Sequence, residues 1–113
     1  MTSAETIDGI GVASLPERFN ASNCLAFQKD IEPLMKENPR LVFDLTQVRM
    51  MDSAALGTLV ACLKHMRSNG GDLRLCGMSN KIRALFELVR MHHVFDVFNT
   101  LEEALDSYKK QSA

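Results

Sequence analysis

The apolar positions along the chain change period several times, and each change marks an element. Short runs with strand character occupy residues 10–15 (Ile10-Gly11-Val12-Ala13-Ser14-Leu15), 41–45 (Leu41-Val42-Phe43-Asp44-Leu45), 73–76 and 94–98. Between them the spacing lengthens to three and four. Cys24, Phe27, Ile31, Leu34 and Met35 predict a helix over about 22–37. Pro33 predicts a kink or an early end near Glu32, because proline removes one backbone bond and crowds the preceding turn. A second helix runs from Ser53 to about Ser68 with Leu56, Leu59, Val60, Leu63 and Met66 on one stripe, and Gly70-Gly71 stops it. Ser79 or Asn80 caps a third, striped by Ile82, Leu85, Phe86 and Val89, with Lys81, Arg83, Glu87 and Arg90 toward water. A last amphipathic helix over 101–110 presents Leu101, Ala104, Leu105 and Tyr108. The first few and last four residues are expected to be loose.

Strands alternating with helices argue for an α/β layer, helices packed on a sheet. Strand 41–45, the second helix and strand 73–76 are long enough together for a right-handed parallel crossover. The order of the remaining strands stays open. At 113 residues, 46% hydrophobic and 24% charged, the chain fits one globular domain over 1–113 with a core of about 9–108. A net charge of −1, from 13 basic and 14 acidic residues without a like-charge block, leaves nucleic-acid binding without its basic footprint. The start, Met1-Thr2-Ser3-Ala4-Glu5, lacks the basic and apolar regions of a signal peptide, and no apolar run reaches the length of a membrane span. A cytoplasmic location without direct membrane insertion is the expectation.

Little in the composition calls for a metal or a cofactor. Cys24, Cys62 and Cys76 are an odd, widely spaced set without a Cys-x-x-Cys pair, and each sits in an apolar-periodic segment, which predicts burial. Adjacent His92 and His93 would point about 100° apart on a helix, a poor arrangement for one metal. Neither Gly-x-Gly-x-x-Gly nor a Walker-type Gly-Lys-Ser/Thr occurs. The expectation is no cofactor and no metal.

The sharpest local signal is Met51-Asp52-Ser53-Ala54-Ala55-Leu56-Gly57-Thr58-Leu59, which follows a strand and opens a helix. Backbone N–H groups at a helix mouth lack partners, so Asp52 or Ser53 can cap them, and capping alone accounts for both residue types. The same mouth tolerates an added anion, so a serine there can accept a phosphate without unfolding its helix. Hydrolase chemistry would need His65 or His92 to reach Ser53, and His65 lies twelve residues along the same helix, about 18 Å away, which excludes it as the base. No enzyme is expected.

The run Leu41-Val42-Phe43-Asp44-Leu45-Thr46-Gln47-Val48, then Met51-Asp52-Ser53, Leu56-Gly57 and Gly70-Gly71-Asp72-Leu73-Arg74-Leu75, resembles the STAS domain of bacterial anti-sigma factor antagonists, over about residues 11–105. The resemblance implies a mostly parallel four- to five-stranded sheet with an antiparallel strand near the N-terminus and helices largely on one side. The serine motif would then lie at the carboxyl end of a parallel strand, where open α/β sheets place binding sites. It also implies a switch: a serine-kinase anti-sigma factor phosphorylates Ser53, the unphosphorylated form binds that kinase and frees its target, and a PP2C-type phosphatase restores it. Expected partner-binding residues are Asn20, Met51, Asp52, Ser53, Ala54, Ala55, Gly57 and Thr58, the small ones keeping the first helical turn low. Two departures stand out. Ala54 and Ala55 replace a second hydroxyl and a glycine, leaving Ser53 the sole acceptor in the motif, and Asn20 stands where the family often carries an acid. STAS domains also serve as non-phosphorylated accessory subunits of membrane lipid transporters, and a ligand-binding sensor or scaffold is a third possibility.

Overall fold

The computed structural model describes residues 3–111. Seven strands and four helices follow one another along it: β1 (Ser3–Ile7), β2 (Ile10–Ser14), β3 (Arg18–Phe19), α1 (Cys24–Glu37), β4 (Arg40–Asp44), β5 (Met50–Met51), α2 (Ser53–Ser68), β6 (Asp72–Cys76), α3 (Asn80–Leu88), a 3-10 turn (Met91–His93), β7 (Asp96–Phe98) and α4 (Leu101–Gln111). The main sheet has the order β1-β2-β4-β6-β7. Its β1–β2 pair is antiparallel and the rest are parallel, with Gly11, Leu41 and Leu73 in one cross-strand row and Ala13, Phe43, Leu75 and Val97 in another. Leu41, Val42 and Phe43 are buried in succession because β4 has a helical layer on both faces.

β1 joins β2 through Asp8-Gly9, both at positive φ (52° and 79°), the conformation of a two-residue hairpin turn that suits aspartate-glycine. The expectation of a loose N-terminus is therefore corrected from Ser3 onward. β1 was illegible because its side chains are exposed up to half-buried Ile7, so no apolar alternation marks it. At the other end α4 persists through Gln111; residues 1, 2, 112 and 113 lie outside the described residues.

The two faces are covered unequally. Ala13, Leu41, Phe43, Leu73 and Leu75 form one core with α1, α2 and α3, while Ile10, Val12, Val42 and Cys76 form a smaller one with Ala104, Leu105 and Tyr108 of α4. Tyr108 donates its hydroxyl to the Leu41 carbonyl at 2.8 Å, and the buried Arg74 guanidinium lies 4.0 Å from the Tyr108 ring centre while donating to Ser107. These contacts supply the partners that a buried cation and phenol require.

Three details differ from the sequence reading. α1 continues through Pro33 to Glu37 without the expected break: Pro33 is exposed between buried Ile31 and Leu34, whose packing carries the helix past the missing bond. The buried stripe of α2 is Ala55, Thr58, Leu59, Cys62, Leu63 and Met66, with Leu56 and Val60 half-buried at its edge. Small residues set the true inward direction there, which a reading weighted toward large aliphatics misplaced. α3 ends at Leu88, so Val89 falls beyond it and is exposed, and Arg90 turns the chain at φ 61° into the 3-10 turn before β7.

A functional-site candidate at the mouth of α2

The chain leaves β4, crosses residues 45–49 and forms a two-residue parallel ribbon, Arg18 opposite Met50 and Phe19 opposite Met51. Phe19 is fixed from below: its ring meets Phe27 of α1 edge-on at 4.8 Å, and Phe27 meets Phe43 of β4 at 5.5 Å. That aromatic column anchors the segment before α1 on the sheet, and the ribbon then positions the segment before α2 beside it. Asp52 N–H donates to the Phe19 carbonyl at 3.3 Å, completing the connection.

Asp52 is the cap of α2. One carboxylate oxygen accepts from the Ala55 N–H at 2.9 Å, and the other accepts from the Ala21 N–H at 3.0 Å. Hydrogen bonds from these two amides, Ala55 foremost, hold the Asp52 carboxyl below its ordinary value and keep it ionised. Ser53 is the first helical residue and is exposed, and its hydroxyl makes no hydrogen bond among the described residues. The capping alternative left open by the sequence resolves to Asp52, which leaves the serine hydroxyl uncommitted.

Asn20 stands in the adjoining loop, half-buried and occupied. Its side-chain oxygen accepts from the Ser22 N–H at 2.9 Å, its own N–H donates to the Asn23 side chain at 2.9 Å, and its carbonyl accepts from the Asn23 and Cys24 N–H groups. This turn leads into α1 and presents the Ala21 amide to Asp52. Asn20, Met51, Asp52, Ser53, Ala54 and Gly57 thus share the neighbourhood of the α2 mouth with at least part of each exposed. Gly57 is exposed and an added Cβ would meet nothing within 4 Å, so the fold itself does not require glycine there.

Two expected members of this surface are corrected. Ala55 is fully buried, and Thr58 is 6% exposed with its hydroxyl donating to the Ala54 carbonyl at 3.0 Å. Both follow the inward stripe of α2, so neither is available to a partner. What the sequence reading missed is the neighbouring groove of about 340 Å³ between β5 and α3, at whose edge Met50 is exposed. Its signal was visible as adjacent Met50 and Met51 after Arg49, but their side-chain directions depend on the β3–β5 ribbon.

Other candidate chemistry disperses. Cys24, Cys62 and Cys76 are buried, and burial pushes the Cys62 thiol up to about 11 and the Cys76 thiol up to about 12, with Asp44 adding to the latter. His65 is exposed on α2. The His92 and His93 rings lie 3.9 Å apart, and no group of three metal-binding side chains occurs among the described residues. No helix there is long and apolar enough to cross a membrane.

Comparison with known proteins agrees with this architecture. The chain is 28% identical over 106 residues to BtrV of Bordetella bronchiseptica, provisionally designated an anti-sigma factor antagonist, covering 93% of this chain and 91% of that one. It is 35% identical over 65 residues to the anti-sigma-B factor antagonist of Listeria monocytogenes, covering 58% and 57% of the two chains. The crystal structure of an anti-sigma factor antagonist from Mycobacterium paratuberculosis superposes with a TM-score of 0.86 at 23% identity, covering 95% of this chain and 92% of that one. The STAS domain model matches residues 1–104, and the chain belongs to the STAS domain family.

Proposed function

We propose that the protein is a phosphorylation-switched anti-sigma factor antagonist, with Ser53 as the acceptor. In this reading a serine-kinase anti-sigma factor binds the unphosphorylated form and releases its target, phosphorylation ends that binding, and a PP2C-type phosphatase renews it. The observation that carries the reading is the division of roles at the helix mouth: Asp52 takes the capping bonds while the exposed Ser53 hydroxyl takes none. The names of the Bordetella and Listeria relatives support the class of partner.

The energetics favour a switch at the interface over a change of fold. Phosphorylation adds about −1.5 to −2 charges at residue 53, beside an Asp52 that is already ionised. The N-terminus of α2 offsets part of this, by about 0.3 to 2 kcal/mol. A partner surface fitted to a neutral hydroxyl would meet a hydrated dianion, and an unpaired interfacial charge costs about 2 to 5 kcal/mol. Since about 1.4 kcal/mol is tenfold in affinity, that loss is enough to exchange partners.

The test is to incubate the wild-type protein and Ser53→Ala with the serine-kinase anti-sigma factor of the same genome and ATP, and to map phosphate by mass spectrometry. Phosphate on wild-type Ser53, none on the variant, and retained kinase binding by the variant are expected. Equal phosphorylation of both proteins would refute the assignment.

A further inference from the structure

Beside the serine turn lies the groove between β5 and α3. Met51, Ile82 and Leu85 form its floor, and Met50 and Leu88, 52% and 81% exposed, stand at its edges. Large apolar side chains left this open beside one another mark a contact surface more often than an isolated exposed leucine does. The charge around the groove is one-sided. Arg49 and Lys81 line it, no acidic side chain does, and Arg18 stands opposite Met50 in the ribbon. Two acids lie nearby outside the lining: Glu17, whose carboxylate is 3.6 Å from Arg49 on an exposed surface, and Asp52, next to Met51, whose two oxygens are taken up by the Ala21 and Ala55 amides. Since the whole chain carries a net charge of −1, this local excess is not a reflection of a basic protein.

We infer that this groove binds an acidic amphipathic helix of a partner protein, its apolar stripe on Met51, Leu85 and Leu88 and its carboxylates against Lys81 and Arg49. The length fits: from Lys81 to Leu88 the α3 side of the groove runs about 10 Å, close to two turns of a facing helix, the span of an i, i+3/i+4, i+7 set of anchors. Methionine supplies an adaptable wall for such anchors. The groove contains Met51, two residues before Ser53, so a protein seated in it is also in reach of the serine. For that second contact alone, the inference rests on the switch proposed above.

The test uses two synthetic peptides with the same leucine face, one flanked by glutamate and the other by lysine, titrated into the isotope-labelled protein and followed by its amide spectrum. The glutamate peptide is expected to bind about tenfold or more tightly than the lysine peptide, shifting the amides of Met50, Met51, Leu85 and Leu88. Leu88→Glu, at a position too exposed to disturb the core, should abolish that binding. The pair Arg49→Glu with Lys81→Glu should reverse the peptide preference. Ser53→Ala should bind the glutamate peptide as the wild type does, which separates this result from the kinase assay: a failed phosphorylation of Ser53 refutes the switch and leaves the groove's preference standing. Equal affinity for both peptides, no binding of either, or shifts confined to another surface would overturn the inference. So would a dimer in sedimentation that Leu88→Glu disperses, since the occupant would then be a second copy of this chain.

Discussion

The carboxylate of Asp52 holds the amide of Ala21, 31 positions earlier in the chain, at 3.0 Å while its other oxygen caps α2 through Ala55. One side chain therefore sets the start of α2 and also the position of the loop that enters α1. Asp52→Ala should lower the melting temperature and accelerate hydrogen exchange at both Ala21 and Ala55. Asp52→Asn, whose oxygen can keep the Ala55 bond but whose NH₂ cannot accept from Ala21, should accelerate exchange at Ala21 alone. Equal protection of Ala21 in wild type and Asp52→Asn would show that the clasp contributes nothing.

The same carboxylate predicts the acid limb of stability. Its folded-state pKa lies below the ordinary 3.8, so on acidification the unfolded chain takes up this proton first. Its contribution is complete above about pH 5 and is lost as pH falls through the folded value. A melting profile from neutral to acidic pH should fall less steeply for Asp52→Ala than for wild type in this window.

Gly57 yields opposite signs for folding and binding. It lies in the interior of α2, exposed, with open space where a Cβ would stand. Gly57→Ala should stabilise the free protein by about 0.5 to 1 kcal/mol, because alanine gives up less backbone freedom in a helix. If the proposed partner approaches the first turns of α2 closely, the same substitution should weaken kinase binding, measured by calorimetry. Unchanged affinity would move the interface away from Gly57.

Burial separates two neighbouring alanines. Ala54 is exposed and Ala55 is fully buried, so Ala54→Arg should fold normally and impair partner binding, while Ala55→Arg should unfold the domain by forcing a charge into a packed core. Thermal unfolding of the two variants distinguishes them directly.

On the opposite face, Tyr108→Phe removes the hydroxyl that donates to the Leu41 carbonyl and leaves that acceptor buried in the sheet. A loss of about 1 to 3 kcal/mol in denaturant unfolding is expected. Kinase phosphorylation of Ser53 should be unaffected, since α4 lies on the sheet face away from α2.

The sequence was most legible where apolar character filled an element, and least where backbone pairing decided the outcome. Leu41, Val42 and Phe43 announced a strand, though not that both its faces are buried, and Ala104, Leu105 and Tyr108 announced the inner side of α4. β3 and β5 are two residues each, too short for any period, yet they bring Asn20 beside Asp52. Thr58 read as surface because it is one of the small residues that keep the first turns of α2 low; its hydroxyl is satisfied one turn back at Ala54, which lets it face the core. The motif could be found from its residue types, but which of Asp52 and Ser53 carried the cap depended on the Ala21 loop, a neighbour no local window contains.

Because the aspartate alone closes the end of α2, position 53 answers to no folding requirement. A lineage can lose the hydroxyl, replace it with an acid or regain it by single substitutions, without first acquiring a compensating change in the core. Under the switch proposed above, regulation could therefore change at position 53 without any change in the scaffold that displays it.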